Sequence, residues 1–157
     1  MFTEKCFIRK NTKELQDKLS KLGYANYYDD ERSSNGNIND GSFLFVDTYI
    51  EYDIKDENII EETPYYCCVN TDDFDGTDYG IDCGEDEEMF FAIAALQDNI
   101  DINQLFKMDI EALYTDFPKG SVFKATKLGD GRHVGTNINP FYCHKLSVEE
   151  IIEYFKK

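Results

Sequence analysis

The chain of 157 residues has no tryptophan, three prolines, two histidines and half as many basic residues as acidic ones. Each shortage excludes something. Ten glycines and three prolines are too few for a collagen-like or low-complexity chain. The longest unbroken apolar run, Met89 to Leu96, is far too short to span a bilayer as a helix. The opening Met1-Phe2-Thr3-Glu4-Lys5 has no apolar stretch of the secretory kind, so a cytoplasmic location is expected. With His133 and His144 as the only histidines, and no Cys-x-x-Cys, zinc is poorly supplied. Gly-x-Ser-x-Gly, Walker A and His-Glu-x-x-His patterns are absent. Neither an enzymatic activity nor a cofactor is expected.

Acid is plentiful. There are 32 Asp and Glu against 16 Lys and Arg, a net charge of −16. From Asp56 to Phe106 the chain carries 15 acids and no Lys or Arg, so nearly all the excess lies in the central third. The first 28 residues are mildly basic, with six bases against three acids. Such a field repels nucleic acid and anionic membranes and attracts cationic proteins. Solubility alone is the simpler reading of acidic surface. A concentrated block is self-repelling, however, and its acids are interleaved with rings. Glu61, Glu62, Asp72, Asp73, Phe74, Asp75, Asp78 and Tyr79 form the candidate partner-binding set. The expected partner is a basic nucleic-acid-binding protein, whose Lys and Arg would meet these carboxylates while the rings supply contact area. Burial of the tyrosines in the core is the alternative.

The length suits one domain spanning 1–157. Residues 5–9 read as a strand, and Asn11 or Thr12 as the cap of a helix carrying Leu15, Leu19 and Leu22 on one face. Gly23 ends it, and 24–28 begin another strand. Residues 29–42 read as a mobile polar loop with Asn35-Gly36 and Asp40-Gly41 turns. Residues 43–54 and 65–69 read as strands, the second starting after the breaker Pro64, and 70–80 as an acidic loop. Glu85 to Asp98 reads as a buried central helix, with its acids at the positive end of the helix dipole. Residues 102–114 read as a further short helix, 121–128 as a strand, Gly129-Asp130-Gly131 as a turn and 133–137 as the return strand. Ser147-x-x-Glu150 is a capping box opening a C-terminal helix over 148–156. The expected class is α+β: about three helices packed on a mostly antiparallel sheet.

Two stretches carry a resemblance. Cys6-Phe-Ile-Arg-Lys-Asn-Thr12, with its Leu-spaced helix and Leu22-Gly23-Tyr24, is one; Asp82-Cys-Gly-Glu-Asp-Glu-Glu-Met-Phe-Phe-Ala-Ile-Ala-Ala-Leu96 is the other. Together they span roughly a quarter of the chain. The chain here resembles a group of small acidic proteins of gut bacteria, their phages and mobile elements. The resemblance implies an accessory-gene setting, where small acidic proteins block defence or nucleic-acid enzymes. It transfers no catalytic residue.

Other chemistry is thinner. Thr71-x-Asp73-x-Asp75-Gly76-x5-Asp82 lies over the EF-hand pattern, but Thr opens it, Asp closes it and no helix precedes it. Asp73, Asp75 and Asp82 are therefore weak metal candidates. Cys83, just before a helix, is ringed by acids that oppose a thiolate, and reads as structural. The other cysteines, Cys6, Cys67, Cys68 and Cys143, read as reduced and buried, with Cys67 and Cys68 on opposite faces of a strand. Gly129 to Asn137 either cradles an anion or nucleotide through Arg132 and His133, with His144 a possible addition, or is a plain hairpin. Three functions thus stand: an anti-defence inhibitor that mimics nucleic acid, an immunity protein for a nuclease toxin, and a small-ligand protein or enzyme using Arg132 and His133.

Overall fold

The computed structural model describes residues 2, 4–26, 43–69, 79–98, 100, 102–111, 118–127, 133–134 and 142–156, with the backbone alone at 69, 126–127 and 133–134. Several sequence expectations lie outside them: the 29–42 loop, most of the 70–80 loop and the 129–131 turn.

The fold is α+β. Ten strands are described: β1 (Cys6–Ile8), β2 (Ala25–Asn26), β3 (Phe43–Tyr52), β4 (Ile59–Val69), β5 (Ile81–Asp82), β6 (Leu105–Met108), β7 (Val122–Lys124), β8 (Thr126–Lys127), β9 (His133–Val134) and β10 (Cys143–Lys145). Three helices are described: α1 (Lys13–Lys21), α2 (Glu87–Ala94) and α3 (Val148–Phe155). The main sheet has the order β2-β4-β3-β1-β5; a second runs β10-β6-β7, and β8 pairs with β9. The two outer pairings of the main sheet, β2 with β4 and β1 with β5, are parallel, and all the others are antiparallel.

Local chemistry explains the helices. Thr12 caps α1 by accepting from Leu15 N, and Leu15 and Leu19 face the core. Asp86 caps α2 by accepting from Met89 N, so the helix starts at Glu87 rather than at the expected Glu85, and it ends at Ala94, short of the expected Asp98. Ser147 and Glu150 close the expected capping box on α3.

The main sheet buries both faces of its centre. On one, Cys6, Ile8, Leu44, Val46 and Tyr66 pack with Leu15, Leu19, Phe90, Ile93 and Ile151 from the three helices. Each fully buried large side chain there contributes roughly 1.5–3 kcal/mol. On the other, Phe7, Phe45 and Cys67 pack with Phe43, Tyr65 and Tyr79. Cys67 and Cys68 do face opposite ways: the first joins this aromatic cluster and the second packs against the helix-covered core. All five cysteines are free. At Gly80 φ is +86°, and a Cβ would collide with the Lys5 carbonyl that accepts from Ile81 N, so the start of β5 needs glycine.

Three expectations need correction. Residues 102–114 were expected to be helical, but Leu105–Met108 is strand β6, between β7 and β10. Its alternation decides it: Phe106 and Met108 are buried and Lys107 is exposed. The second strand of the hairpin does not begin after Pro64; β4 starts at Ile59 and passes through it. Pro64 pairs with Thr48, while β2 reaches only Tyr65 and Tyr66, so the proline sits at an edge, where a missing N–H is tolerated. The 121–128 strand is broken at buried Ala125, whose backbone bonds instead to Asn103 and Gln104.

Candidate interaction surface

Beyond the sheet the β3–β4 hairpin continues as an arm. Strand β1 pairs with Leu44 to Val46, and β2 with Tyr65 and Tyr66. From Asp47 to Thr63 no third strand pairs with β3 or β4 among the described residues. The ribbon is about 20 Å long at the usual rise per residue. Its tip is built: Asp53 N donates to Asn58 O, Glu57 N to Asp53 O, and Lys55 N to the Asp53 carboxylate.

This arm combines two kinds of surface. Six of the exposed large hydrophobic residues lie on it: Tyr49, Ile50, Tyr52, Ile54, Ile59 and Ile60. Ile54 at the tip is 97% exposed, and Ile59 and Ile60 are about 60% exposed. Scattered exposed apolar residues are ordinary; here Ile50, Tyr52 and Ile59 share one face of the ribbon, while Tyr49 lies on the other. The register puts Ile50 opposite Glu62 and Tyr52 opposite Ile59, on the face that continues the core side of the sheet. Asp47, Glu51, Asp53, Asp56, Glu57, Glu61 and Glu62 supply seven carboxylates against the single cation Lys55. Glu51 stands directly across from Glu61. Like charges at such a cross-strand position cost stability.

Among the described residues several acids on the body of the protein are ion-paired, while others, such as Glu85, Glu88, Glu149 and Glu153, are not. Arg9 pairs with Asp82 at 2.7 Å, Lys10 with Glu87 at 3.0 Å, Lys13 with Asp17 at 3.2 Å and Lys18 with Glu14 at 4.0 Å. The basic N-terminal segment thus neutralises nearby carboxylates, including two from the acidic third. No arm carboxylate has an ion-pair partner among the described residues.

Of the candidate partner-binding residues, Glu61 and Glu62 are exposed on the arm. Tyr79 is half-buried, its ring edge-on to Phe45 with centroids 5.0 Å apart. Asp72, Asp73, Phe74, Asp75 and Asp78 lie outside the described residues. So does Arg132, and His133 is placed by its backbone, in β9 opposite Lys127. The weak metal candidates are not seen together. Asp73 and Asp75 are outside the described residues, and Asp82 is held by Arg9 and by Gly84 N. The Arg9 hydrogen bond keeps the Asp82 carboxyl below its ordinary range. No group of His, Cys, Asp and Glu able to hold a metal occurs among the described residues.

His144 is bracketed by carboxylates. Its Nδ1 is 2.7 Å from Asp109 and its Nε2 is 2.7 Å from Glu150. The Glu150 hydrogen bond, aided by Asp109, raises the imidazole above its ordinary value against partial desolvation. The other Glu150 oxygen accepts from Ser147 N in the α3 cap. With both nitrogens occupied, the ring has no lone pair free to take a substrate proton.

Sequence reasoning missed the arm's apolar ladder and this bracket. The signal for the first was Ile59-Ile60 set among acids, in a stretch that reads as a loop if Pro64 is taken to start the strand. The second joins residues 35 positions apart and left no local signal.

A cleft of about 700 Å³ lies between the three helices and β6–β7. Ala92 and Ala95 leave its floor open, Phe91 and Phe155 wall it, and Lys18, Lys21 and Lys124 stand among its lining residues. The Lys18 ammonium is 5.5 Å from the Phe91 ring centre. No helix among the described residues is long and apolar enough to cross a membrane. Comparison of the chain with family models, curated proteins and solved structures gives no match.

Proposed function

We propose that the chain is a non-enzymatic acidic binding protein, a phage or mobile-element accessory factor that occludes a basic nucleic-acid-handling host protein by nucleic-acid mimicry. The observation that carries this reading is the concentration of exposed carboxylates on the arm, seven against one lysine, none of them ion-paired among the described residues, while Asp82 and Glu87 of the acidic third are paired with Arg9 and Lys10. An unpaired, exposed set of one sign steers a cationic partner and repels nucleic acid. An immunity protein for a basic nuclease toxin would use the same surface, and co-expression with such a toxin would then rescue growth.

The test is affinity capture from a lysate of the encoding organism at low and high salt. The expected product is a basic nucleic-acid-binding protein released by salt. Its binding weakens when Asp72, Asp73, Asp75 and Asp78 become Asn together with Glu61→Gln and Glu62→Gln. Undiminished binding by that variant would rule out carboxylate mimicry.

A second reading, small-ligand binding, is supported by the cleft lined by Lys18, Lys21 and Lys124 together with Glu87 and Glu88; Arg132 lies outside the described residues and His133 is placed by its backbone alone. Thermal stabilisation by ATP, lost in Lys21→Ala/Lys124→Ala, would support it.

A further inference from the structure

We infer that the β3–β4 arm is the part of the molecule that enters its partner, that its apolar residues anchor the complex, and that the partner surface is a groove built for a single nucleic-acid strand. This rests on the occlusion reading above and specifies its contact element and target class.

Three observations converge. Among the described residues the arm leaves the sheet as a two-stranded ribbon, with Tyr52, Ile54, Ile59 and Ile60 exposed beyond the last strand that pairs with it. These side chains add little to the fold, because they remain in water. The arm also carries seven carboxylates against one lysine. Finally, Glu51 and Glu61 are held opposite each other at a cost the isolated protein does not recover. A cation placed between them would relieve it.

The combination selects the partner. A second copy is disfavoured, because isologous contact would stack these carboxylates on each other. A purely cationic surface would leave the isoleucines and Tyr52 with nothing to fill. Grooves for single-stranded nucleic acid offer both features: a basic track for the backbone, and aromatic platforms on which bases stack. Arm carboxylates match the first and the apolar ladder matches the second. Thickness agrees as well. A two-stranded ribbon is slim enough to enter a duplex groove, so it is too slim to stand in for a whole duplex.

Anchors buried at the centre of an interface carry most of its affinity, while rim charges mainly set the on-rate and salt dependence. The expected division of labour follows. Tyr52→Ser/Ile54→Ser/Ile59→Ser/Ile60→Ser weakens binding by about tenfold or more, chiefly through faster dissociation. Glu61→Gln/Glu62→Gln slows association and flattens its salt dependence.

Two experiments test the inference on the full chain. Sedimentation velocity at about 0.1 M and about 1 M salt spans strong and weak screening. A monomer is expected at both. A dimer that the four-serine variant dissolves would assign the ladder to a second copy and overturn the inference. The second experiment replaces Tyr52 with benzoylphenylalanine and photo-crosslinks the protein in lysate, with and without oligothymidylate. The captured protein is identified, purified and titrated with each variant. A single-strand-binding protein whose capture oligothymidylate suppresses, and which binds the four-serine variant about tenfold or more weakly, is the supporting result. Should the same basic protein bind that variant at full affinity, the arm loses its role while occlusion by the rest of the acidic surface stands. Capture of a partner without a basic groove would remove both. No capture through Tyr52, with the chain's binding to a basic protein intact, would remove the arm alone. The single variant Ile54→Ser, at a tip side chain that the core does not touch, guards against misfolding of the fourfold change.

Discussion

Leu44 and Ile50 lie on the same face of the same strand, six residues apart, yet one is wholly buried and the other is exposed. The difference is not chemical. Near Leu44 the strand β1 lies alongside and the helices cover the face; near Ile50 neither does. One hairpin is therefore core at its base and surface at its tip. The comparison separates two uses of apolar residues that composition alone cannot separate. At the base they hold the fold, and at the tip they await something else.

The largest expected effect is at the base. Leu44→Ala should destabilise the protein by about 2–5 kcal/mol, since it opens a cavity among Cys6, Cys68 and the helices. Ile50→Ala, on the same face, should cost under about 1 kcal/mol, because much of that side chain is already in water. Chemical denaturation of both variants measures the pair. Equal losses would mean that the arm is packed in solution, and would end the distinction between base and tip.

Next is a change of opposite sign. Glu61→Lys replaces a like-charge cross-strand pair with Glu51 by an opposite-charge one, and should raise stability by up to about 1 kcal/mol. The same substitution should weaken binding to a cationic partner. A higher midpoint of unfolding with a lower affinity sharpens the contrast. A gain in both would show that the arm acids do not face cations.

How far the sequence revealed this can be argued residue by residue. Thr12, Ser147 and Glu150 were legible because capping is local: the donor and acceptor lie within one turn. The opposite facing of Cys67 and Cys68 was legible because strand alternation is local too. Strand β6 was not, since four residues between β7 and the distant β10 leave too short a pattern to oppose a helical reading. The arm was half legible. Its alternation is the same in base and tip, and only the end of β1 decides which half is covered. Of the arm's seven acids, Glu61 and Glu62 were named from sequence, and which acids are paired depends on residues as far apart as Arg9 and Asp82.

Carboxylates repeat the comparison, with a smaller effect. Asp109 and Glu150 have His144 between them, whereas the arm acids have no counter-ion among the described residues. Because His144 is raised in the folded state, its contribution is complete below the ordinary histidine value and is lost as pH rises through the higher folded one. The hydrogen bond to His144 lowers Glu150, so its contribution is present above the ordinary glutamate value and is lost as pH falls through the lower folded one. The bracket is therefore strongest between about pH 4.5 and 6.5. His144→Ala should cost under about 1 kcal/mol there, since all three groups are partly exposed and screened by solvent. The deficit should vanish in mildly alkaline solution. A constant deficit across that range would mean that His144 serves by packing against Lys107 and its neighbours, not by charge.

The smallest effect on stability is expected from the most exposed residue. Ile54 is 97% accessible at the hairpin tip, where the backbone is held by Asp53, Lys55, Glu57 and Asn58 without help from its side chain. Ile54→Ser removes almost no buried area, so unfolding should shift by less than about 0.5 kcal/mol. An isoleucine so placed does nothing for the folded monomer and adds an aggregation risk that a serine would avoid. If Ile54→Ser also leaves affinity unchanged, the tip is merely tolerated and the anchors lie further down the ribbon, at Tyr52 and Ile59. A large loss of affinity at no cost in stability would place the recognition energy at the far end of the arm, away from the hydrophobic core.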